Sequence, residues 1–159
     1  MDEKSISFFR FEDLRIYGKA VEYGRWLVST LKDGGNDAEK NLNRSFVASS
    51  LDIAINIAEG SSRNKSQFDH YLKIAKTAIR ECIVYTTVCQ KVGMFSDEAA
   101  ETSRELLMEQ TRMIGALIIS LQRGTRRGHD DADAPSVLDD MPVFAADDTL
   151  SDSFKDFEG

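Results

Sequence analysis

Helix-breaking residues are scarce in this chain. Its only two prolines, Pro135 and Pro142, both lie near the C-terminal end, so residues 1–134 contain none. Proline removes a backbone donor and disrupts helices, and a turn-rich β fold uses it at turns and edges. A long proline-free stretch of ordinary apolar content therefore favours helices. At 159 residues the chain suits one domain with a real core, and we predict an all-α protein.

Cysteine and histidine are also few, with two of each. Cys82 and Cys89 are seven residues apart, which is about 10 Å along a helix and too far for a disulfide within it. Neither cysteine belongs to a CxxC pair, and His70 and His129 show no ligand spacing. We predict no metal and no cofactor, with both cysteines acting as small buried side chains.

Long apolar runs and catalytic motifs are missing as well. No apolar run reaches the roughly 18 residues of a membrane span, and the start, Met1 to Lys4, lacks the pattern of a signal peptide. We therefore expect a cytoplasmic protein that does not enter a membrane. A phosphate-binding loop, a dinucleotide fingerprint and a nucleophile–base pair are all absent from the sequence, so an enzyme is not expected.

Four helical segments are predicted, at about 11–31, 36–60, 66–92 and 96–123. Asn36 with Glu39 resembles a capping box, and Ser96 is a suitable cap for the fourth segment. Gly60 and Gly93 are predicted to end the second and third helices. The connections are short, which favours antiparallel neighbours. The sequence predicts an antiparallel up-down four-helix bundle over residues 1–128.

The charge is divided unevenly along the chain. Residues 129–159 contain ten acidic residues against one lysine, a net charge of −9, while residues 1–128 carry +2. This tail is too acidic and aperiodic to form a core alone, so we expect disorder in isolation. Acidic segments with apolar residues commonly bind a partner; the alternative is that the tail folds back on Arg126, Arg127 or the third helix. Its candidate contact residues are Asp139, Asp140, Phe144, Phe154 and Phe157.

The fourth helix contains a stretch, 113–119, that is apolar all around. A helix with this pattern is buried on every side, and one bundle offers too few neighbours to do that. We therefore predict a subunit interface formed by Ile114, Leu117, Ile118 and Ile119. The alternative is a few exposed aliphatic side chains that need no explanation.

Asn56 and Glu59 stand at the end of the second helix and have two interpretations. A carboxylate in the last turn faces the negative end of the helix dipole, so it needs a partner; Arg63, Arg44 and the N–H groups that open the next helix are candidates. As a catalytic pair, Glu59 would be an acid, a base or a ligand. We favour a buried structural clasp of Asn56, Glu59 and Arg63, because structural networks also hold such carboxylates.

Basic residues recur on the side of the third helix opposite its apolar stripe. A ring of such clusters around an oligomer would add several weak phosphate contacts through multivalency. The alternative is an ordinary solvated helix face. The candidate nucleic-acid-binding residues on this helix and at the end of the fourth are Lys73, Lys76, Arg80, Lys91, Arg123, Arg126 and Arg127.

Several of these features together resemble a bacterial family. It is the four-helix-bundle family named after proteins encoded in intervening sequences of 23S rRNA genes, and the resemblance covers about 11–123. It is carried by Phe11-x-Asp13-Leu14-x-x-Tyr17, by Asn56-Ile57-Ala58-Glu59-Gly60 with Ser61 and Arg63, and by Phe68-x-x-Tyr71-Leu72-x-Ile74-Ala75 with Glu81 and Gly93. Where the family usually has Gly-Ser, this chain has Thr77-Ala78, and the acidic tail lies outside the family pattern.

The resemblance implies an antiparallel bundle that assembles as a homopentamer. The family is also similar to the accessory variability determinant of diversity-generating retroelements, a basic pentameric barrel that binds nucleic acid and a reverse transcriptase. We therefore expect a non-enzymatic homo-oligomeric adaptor for RNA, DNA or a nucleic-acid enzyme such as a reverse transcriptase, with a tail that regulates binding or recruits a partner. The alternative is a protein-interaction scaffold without nucleic-acid binding.

Overall fold

The computed structural model describes residues 9–127, and within them it contains four α-helices and no strand. A short 3-10 helix, Arg10–Asp13, precedes α1, Arg15–Thr30. The other three are α2, Asp37–Ser61, α3, Lys65–Lys91, and α4, Asp97–Arg127. The all-α class and the four-helix bundle are confirmed. α1 begins at Arg15 rather than near Phe11, and α4 continues past Gly124.

Side-chain caps fix where three of the helices begin. Asn36 Oδ1 accepts a hydrogen bond from the Glu39 N–H at 2.9 Å, and Ser96 Oγ accepts one from the Ala99 N–H at 3.0 Å, as predicted. The third cap, Asn64, was not predicted; its Oδ1 accepts a hydrogen bond from the Gln67 N–H at 2.9 Å. Each cap satisfies a backbone donor that has no partner inside its helix.

The end of α3 at Gly93 is confirmed, and its geometry explains the glycine. Gly93 has a φ of +80°, in the left-handed region that glycine adopts without a Cβ clash. The N–H of Met94 donates to the Cys89 carbonyl at 2.8 Å, and the N–H of Gly93 donates to the Gln90 carbonyl at 3.3 Å. This pair of bonds is a Schellman motif, which closes the last turn of the helix.

Gly60 does not end α2, which corrects its predicted role. It lies inside the helix, which continues to Ser61. A Cβ at Gly60 would lie 2.6 Å from the Cβ of Tyr71 and 2.9 Å from Cδ2 of Phe68. The glycine is therefore needed for the close packing of α2 against the start of α3, a requirement that depends on the neighbouring helix.

The core contains aromatic and aliphatic side chains from all four helices. Those fully or almost fully buried include Tyr23, Leu27, Phe46, Ile53, Ile57, Phe68, Leu72, Leu107 and Ile114. A chain of buried hydroxyl groups crosses this core: Tyr23 Oη is 2.9 Å from Ser103 Oγ, which is 2.7 Å from Thr86 Oγ1. One serine of α4 thereby links α1 to α3.

Cys82 and Cys89 are both buried core residues, as the sequence analysis predicted. Burial raises the pKa of the Cys82 thiol to about 12, and it also raises the pKa of Cys89. A thiol that stays protonated is a poor nucleophile and a poor metal ligand. Their contribution is therefore to packing.

The predicted interface on α4 requires a correction. Ile114, Leu117 and Ile118 are 0%, 7% and 9% exposed in the single chain, whereas Ile119 is 43% exposed. The three buried side chains share one face of the helix with Leu107 and Leu121, since their spacing follows three- and four-residue steps. The bundle itself buries them, so the premise that they need a second copy was wrong.

Candidate functional site

The turn between α2 and α3 contains an exposed ion pair rather than a buried clasp. The Arg63 guanidinium donates to Glu59 Oε1, and the two side chains are 42% and 47% exposed. Arg63 also lies over the Tyr71 ring, 5.6 Å from its centroid. The hydrogen bond with Glu59 raises the pKa of Arg63. Arg63 thus connects the end of α2 to α3, as predicted, but in contact with solvent.

Asn56 does not join this pair. Its side-chain amide donates to the Asp52 carbonyl at 2.8 Å, one turn back along the same helix. The structure therefore brings Glu59 and Arg63 together and leaves Asn56 outside the predicted group of three. The carboxylate of Glu59 has a cation as its partner, which accounts for its place in the last turn of α2.

The predicted basic residues of α3 lie on its exposed side. Lys73 donates to Asp69 Oδ2 at 2.7 Å, and Lys76 is half-buried. Arg80 and Lys91 are exposed and form no ion pair with any described residue. Arg123 on α4 is exposed as well. The side chains of Arg126 and Arg127 lie outside the described part of the chain, so the group is established only in part.

An apolar stripe on the same outer face of α3 was not predicted. Val84, Val88 and Val92 are 61%, 39% and 55% exposed and follow one another at four-residue steps. We call these three residues the valine stripe. On a helix this spacing places it directly beside Arg80 and Lys91. The sequence contains this second apolar repeat of α3. It was overlooked because the apolar stripe that faces the core follows a similar helical spacing.

A second exposed apolar face lies on α1 and α2. Its members are Val21 at 45%, Val28 at 60%, Leu51 at 47% and Ile55 at 56% exposure. The two helices meet closely there, because a Cβ at Gly24 would lie 3.5 Å from Cδ2 of Leu51. We call these four residues the α1–α2 apolar face. Exposed patches of this kind commonly mark protein contacts.

A cleft of about 420 Å³ separates α1 from α4. Trp26, Leu106 and Gln110 contribute to its lining, and Lys19 bridges it with an ion pair of 3.5 Å to Glu109. Gln110 is 1% exposed, and its buried Oε1 has no hydrogen-bond partner within residues 9–127. Trp26 stacks on Tyr23 with ring centroids 5.7 Å apart. This cleft was not predicted, because a polar residue at a core position gives no periodic signal in the sequence.

Two features are absent from residues 9–127, a membrane-spanning helix and a cluster of metal-binding side chains. No helix in this range is long and apolar enough to cross a membrane. No group of three or more metal-binding side chains occurs among the same residues. The tail residues proposed for partner contact, Asp139, Asp140, Phe144, Phe154 and Phe157, lie outside the described residues.

Comparison with protein families gives a match over most of the bundle. The model of the 23S rRNA-intervening sequence protein family matches residues 12–116. The chain belongs to this family. The matched range begins in the 3-10 helix and ends within α4, so it includes the Glu59–Arg63 pair, Gly60 and the valine stripe. A search of curated proteins finds no match. Membership of the 23S rRNA-intervening sequence protein family confirms the resemblance seen in the sequence; the similarity to the accessory variability determinant stays a prediction.

Proposed function

We propose that this protein is a non-enzymatic, homo-oligomeric adaptor of the cytoplasm that binds RNA or DNA through the outer face of α3. The observation that carries the proposal is the pair of exposed cations, Arg80 and Lys91, which have no partner among the described residues. A cation already held by a carboxylate has less to gain from a phosphate. Lys73 is held in this way by Asp69, so we assign the main contribution to Arg80 and Lys91.

The proposed oligomer is a ring of antiparallel up-down bundles, a pentamer in the family to which the sequence is similar. A ring joined head to tail needs two different surfaces on each copy. The α1–α2 apolar face and the exposed Met108 and Ile119 of α4, at 48% and 43%, are two such surfaces on different helices. Their exposure favours these residues over the buried Ile114, Leu117 and Ile118. Repetition of Arg80 and Lys91 around the ring would add weak phosphate contacts.

A protein-interaction scaffold is the second candidate. The exposed apolar residues favour it, since phosphate binding does not require the valine stripe or the α1–α2 apolar face. A reverse transcriptase or another nucleic-acid enzyme would be a suitable partner for either function. In both cases the acidic tail regulates binding or recruits a partner, and Glu59 with Asn56 performs no chemistry.

Binding of a fluorescent single-stranded RNA and a DNA duplex to the full-length chain tests the proposal. We expect affinity to fall with salt, because phosphate contacts release counterions. The double variant Arg80→Glu, Lys91→Glu should lower both the affinity and its salt slope. The matched control is Arg25→Glu, Lys40→Glu, which reverses two exposed cations on α1 and α2.

The results separate the two candidates. Loss of binding in the α3 variant but not in the control supports the adaptor. Equal loss in both variants would show a general charge effect and would remove α3 as the site. Light scattering on the same samples measures the oligomer, and a monomer at micromolar concentration would contradict the ring.

A further inference from the structure

We propose that the outer face of α3 is the docking site for this chain's own C-terminal segment 137–144. The surface consists of the valine stripe together with Arg80 and Lys91. The occupant is the segment that contains Val137, Leu138, Asp139, Asp140, Met141, Pro142, Val143 and Phe144. The α3 surface and the segment both have apolar side chains, and their charges are of opposite sign.

The α3 surface combines exposed apolar area with unpaired positive charge. Val84 and Val92 are 61% and 55% exposed, and each is a large apolar side chain left in water. Arg80 and Lys91 have no ion pair with any described residue. Burial of apolar area against a partner is favourable. A partner with both apolar and acidic side chains therefore fits this face better than a purely acidic or a purely apolar one.

Segment 137–144 combines apolar and acidic side chains, and the stretch around it is acidic as well. It places Asp139 and Asp140 between apolar pairs on either side, within a stretch, 129–159, of net charge −9. A phosphate backbone would match Arg80 and Lys91 but would leave the valine stripe exposed. The apolar residues therefore favour the tail as the occupant.

The segment is also long enough to reach the site from where α4 ends. The end of α4 lies beside the start of α3, because a Cβ at Gly124 would lie 3.0 Å from Nζ of Lys65. From Lys65 to Val84 is about 29 Å along α3, and to Val92 about 40 Å, at 1.5 Å per residue. An extended chain from residue 128 spans about 30 Å by Val137 and about 53 Å by Phe144, at roughly 3.3 Å per residue. Residues 137–144 can therefore reach the part of α3 that contains the valine stripe.

Cross-linking in the full-length chain tests the docking directly. A cysteine at position 141 (Met141→Cys) is paired with Val84→Cys on α3, and a short bismaleimide is added. Cys82 and Cys89 are buried, so they should not compete. The matched control pairs Met141→Cys with Val21→Cys. Val21 and Val84 lie at the same level of the bundle. Val21 is two residues before Tyr23 and Val84 is two residues before Thr86, and both Tyr23 and Thr86 are hydrogen-bonded to Ser103.

We expect the intrachain product of the Val84→Cys pair to form about tenfold faster than that of the control, since docking raises the effective concentration of the two thiols. Addition of Arg80→Glu and Lys91→Glu should slow it several-fold. Labelling of each single-cysteine variant with a monofunctional maleimide checks that both valine positions are accessible. Equal rates for the two pairs, or products formed mainly between chains, would overturn the proposal.

The consequence for nucleic acid rests on the proposed function. If the tail occupies α3, it competes with phosphate for Arg80 and Lys91, and Asp139→Asn with Asp140→Asn should strengthen RNA binding several-fold. Cross-linking needs no nucleic acid. A cross-link together with no RNA binding, even by the Asp139→Asn, Asp140→Asn variant, would therefore remove the proposed adaptor function and leave the docking in place.

Discussion

Tyr23 of α1 and Ser103 of α4 are joined by a buried hydrogen bond of 2.9 Å, although 80 residues separate them in the sequence. Ser103 also bonds Thr86 of α3 at 2.7 Å, and Thr86 donates to the Cys82 carbonyl at 2.8 Å. Ser103 is thus the central member of this group. Buried hydroxyl groups are costly when they lack partners, so the group should be sensitive to the loss of its centre.

Ser103→Ala should destabilise the protein more than Tyr23→Phe. The alanine leaves the buried Tyr23 hydroxyl without its partner, at a cost of about 1–3 kcal/mol, whereas the phenylalanine removes one bond and costs about 1 kcal/mol. Urea unfolding of the two single variants and the double variant measures this. The double variant should cost less than the sum, since the two residues share a bond. Strict additivity would show that the hydrogen bond contributes nothing.

Stability should fall as the pH rises above about 9. Burial raises the pKa of Tyr23 well above its usual value, and it raises the pKa of Cys82 to about 12. An unfolded thiol titrates near 8.5, so above that pH the unfolded state releases a proton that the folded state keeps. The stabilisation from Cys82 is therefore complete below about pH 8.5 and is lost as the pH rises to about 12.

Urea unfolding measured at intervals between pH 8 and pH 10.5 gives the change in the free energy of unfolding per pH unit. Each group contributes up to about 1.4 kcal/mol per pH unit. Cys82→Ala should make the free energy of unfolding depend less steeply on pH, because the contribution of this thiol is removed while that of Tyr23 remains. An unchanged slope in Cys82→Ala would contradict the assignment.

Gln110→Met should stabilise the bundle. Gln110 is 1% exposed and its Oε1 has no partner among the residues that the structure describes, so the glutamine is more costly than an apolar side chain of similar shape. We expect a gain of about 1–2 kcal/mol in the free energy of unfolding. Gln122→Met, at an exposed position of the same helix, is the control and should change stability little. A loss of stability in Gln110→Met would show that a water molecule already satisfies the amide.

Gly60→Ala and Gly18→Ala should have opposite effects. A Cβ at Gly60 would meet the Cβ of Tyr71 at 2.6 Å, so α2 and α3 must move apart, and a cost of about 1–3 kcal/mol follows. A Cβ at Gly18 of α1 would have no atom of the described part of the chain within 4 Å, and alanine there should stabilise the helix by about 0.5–1 kcal/mol. Thermal unfolding of both variants measures the contrast. If both substitutions stabilised the protein, helix propensity alone would determine the effect at position 60, and the close contact with Tyr71 would not matter.

The features that could be predicted from sequence are those set by neighbouring residues. Asn36, Ser96 and Gly93 act within one or two turns, and their roles were confirmed. The role of Gly60 was mistaken because the glycine that ends a helix and the glycine that admits a neighbouring helix look the same in sequence. Packing between helices decides which one it is.

The candidate surfaces were harder to predict for a related reason. Ile114 and Ile118 form part of a wide apolar arc, and only the actual packing of α4 shows that one bundle covers it. Conversely, the valine stripe was overlooked because α3 has two apolar repeats and only one faces the core. Exposure distinguishes the two repeats, and sequence alone does not report exposure.

The position of Trp26 makes the α1–α4 cleft open to optical measurement. It is the only tryptophan of the chain, it packs between Tyr23 and Phe95, and it forms part of the cleft wall. All indole emission from the native protein therefore originates at one known place, without any label. A change in that emission at constant far-ultraviolet circular dichroism would report separation of α1 from α4 while the helices themselves remain intact.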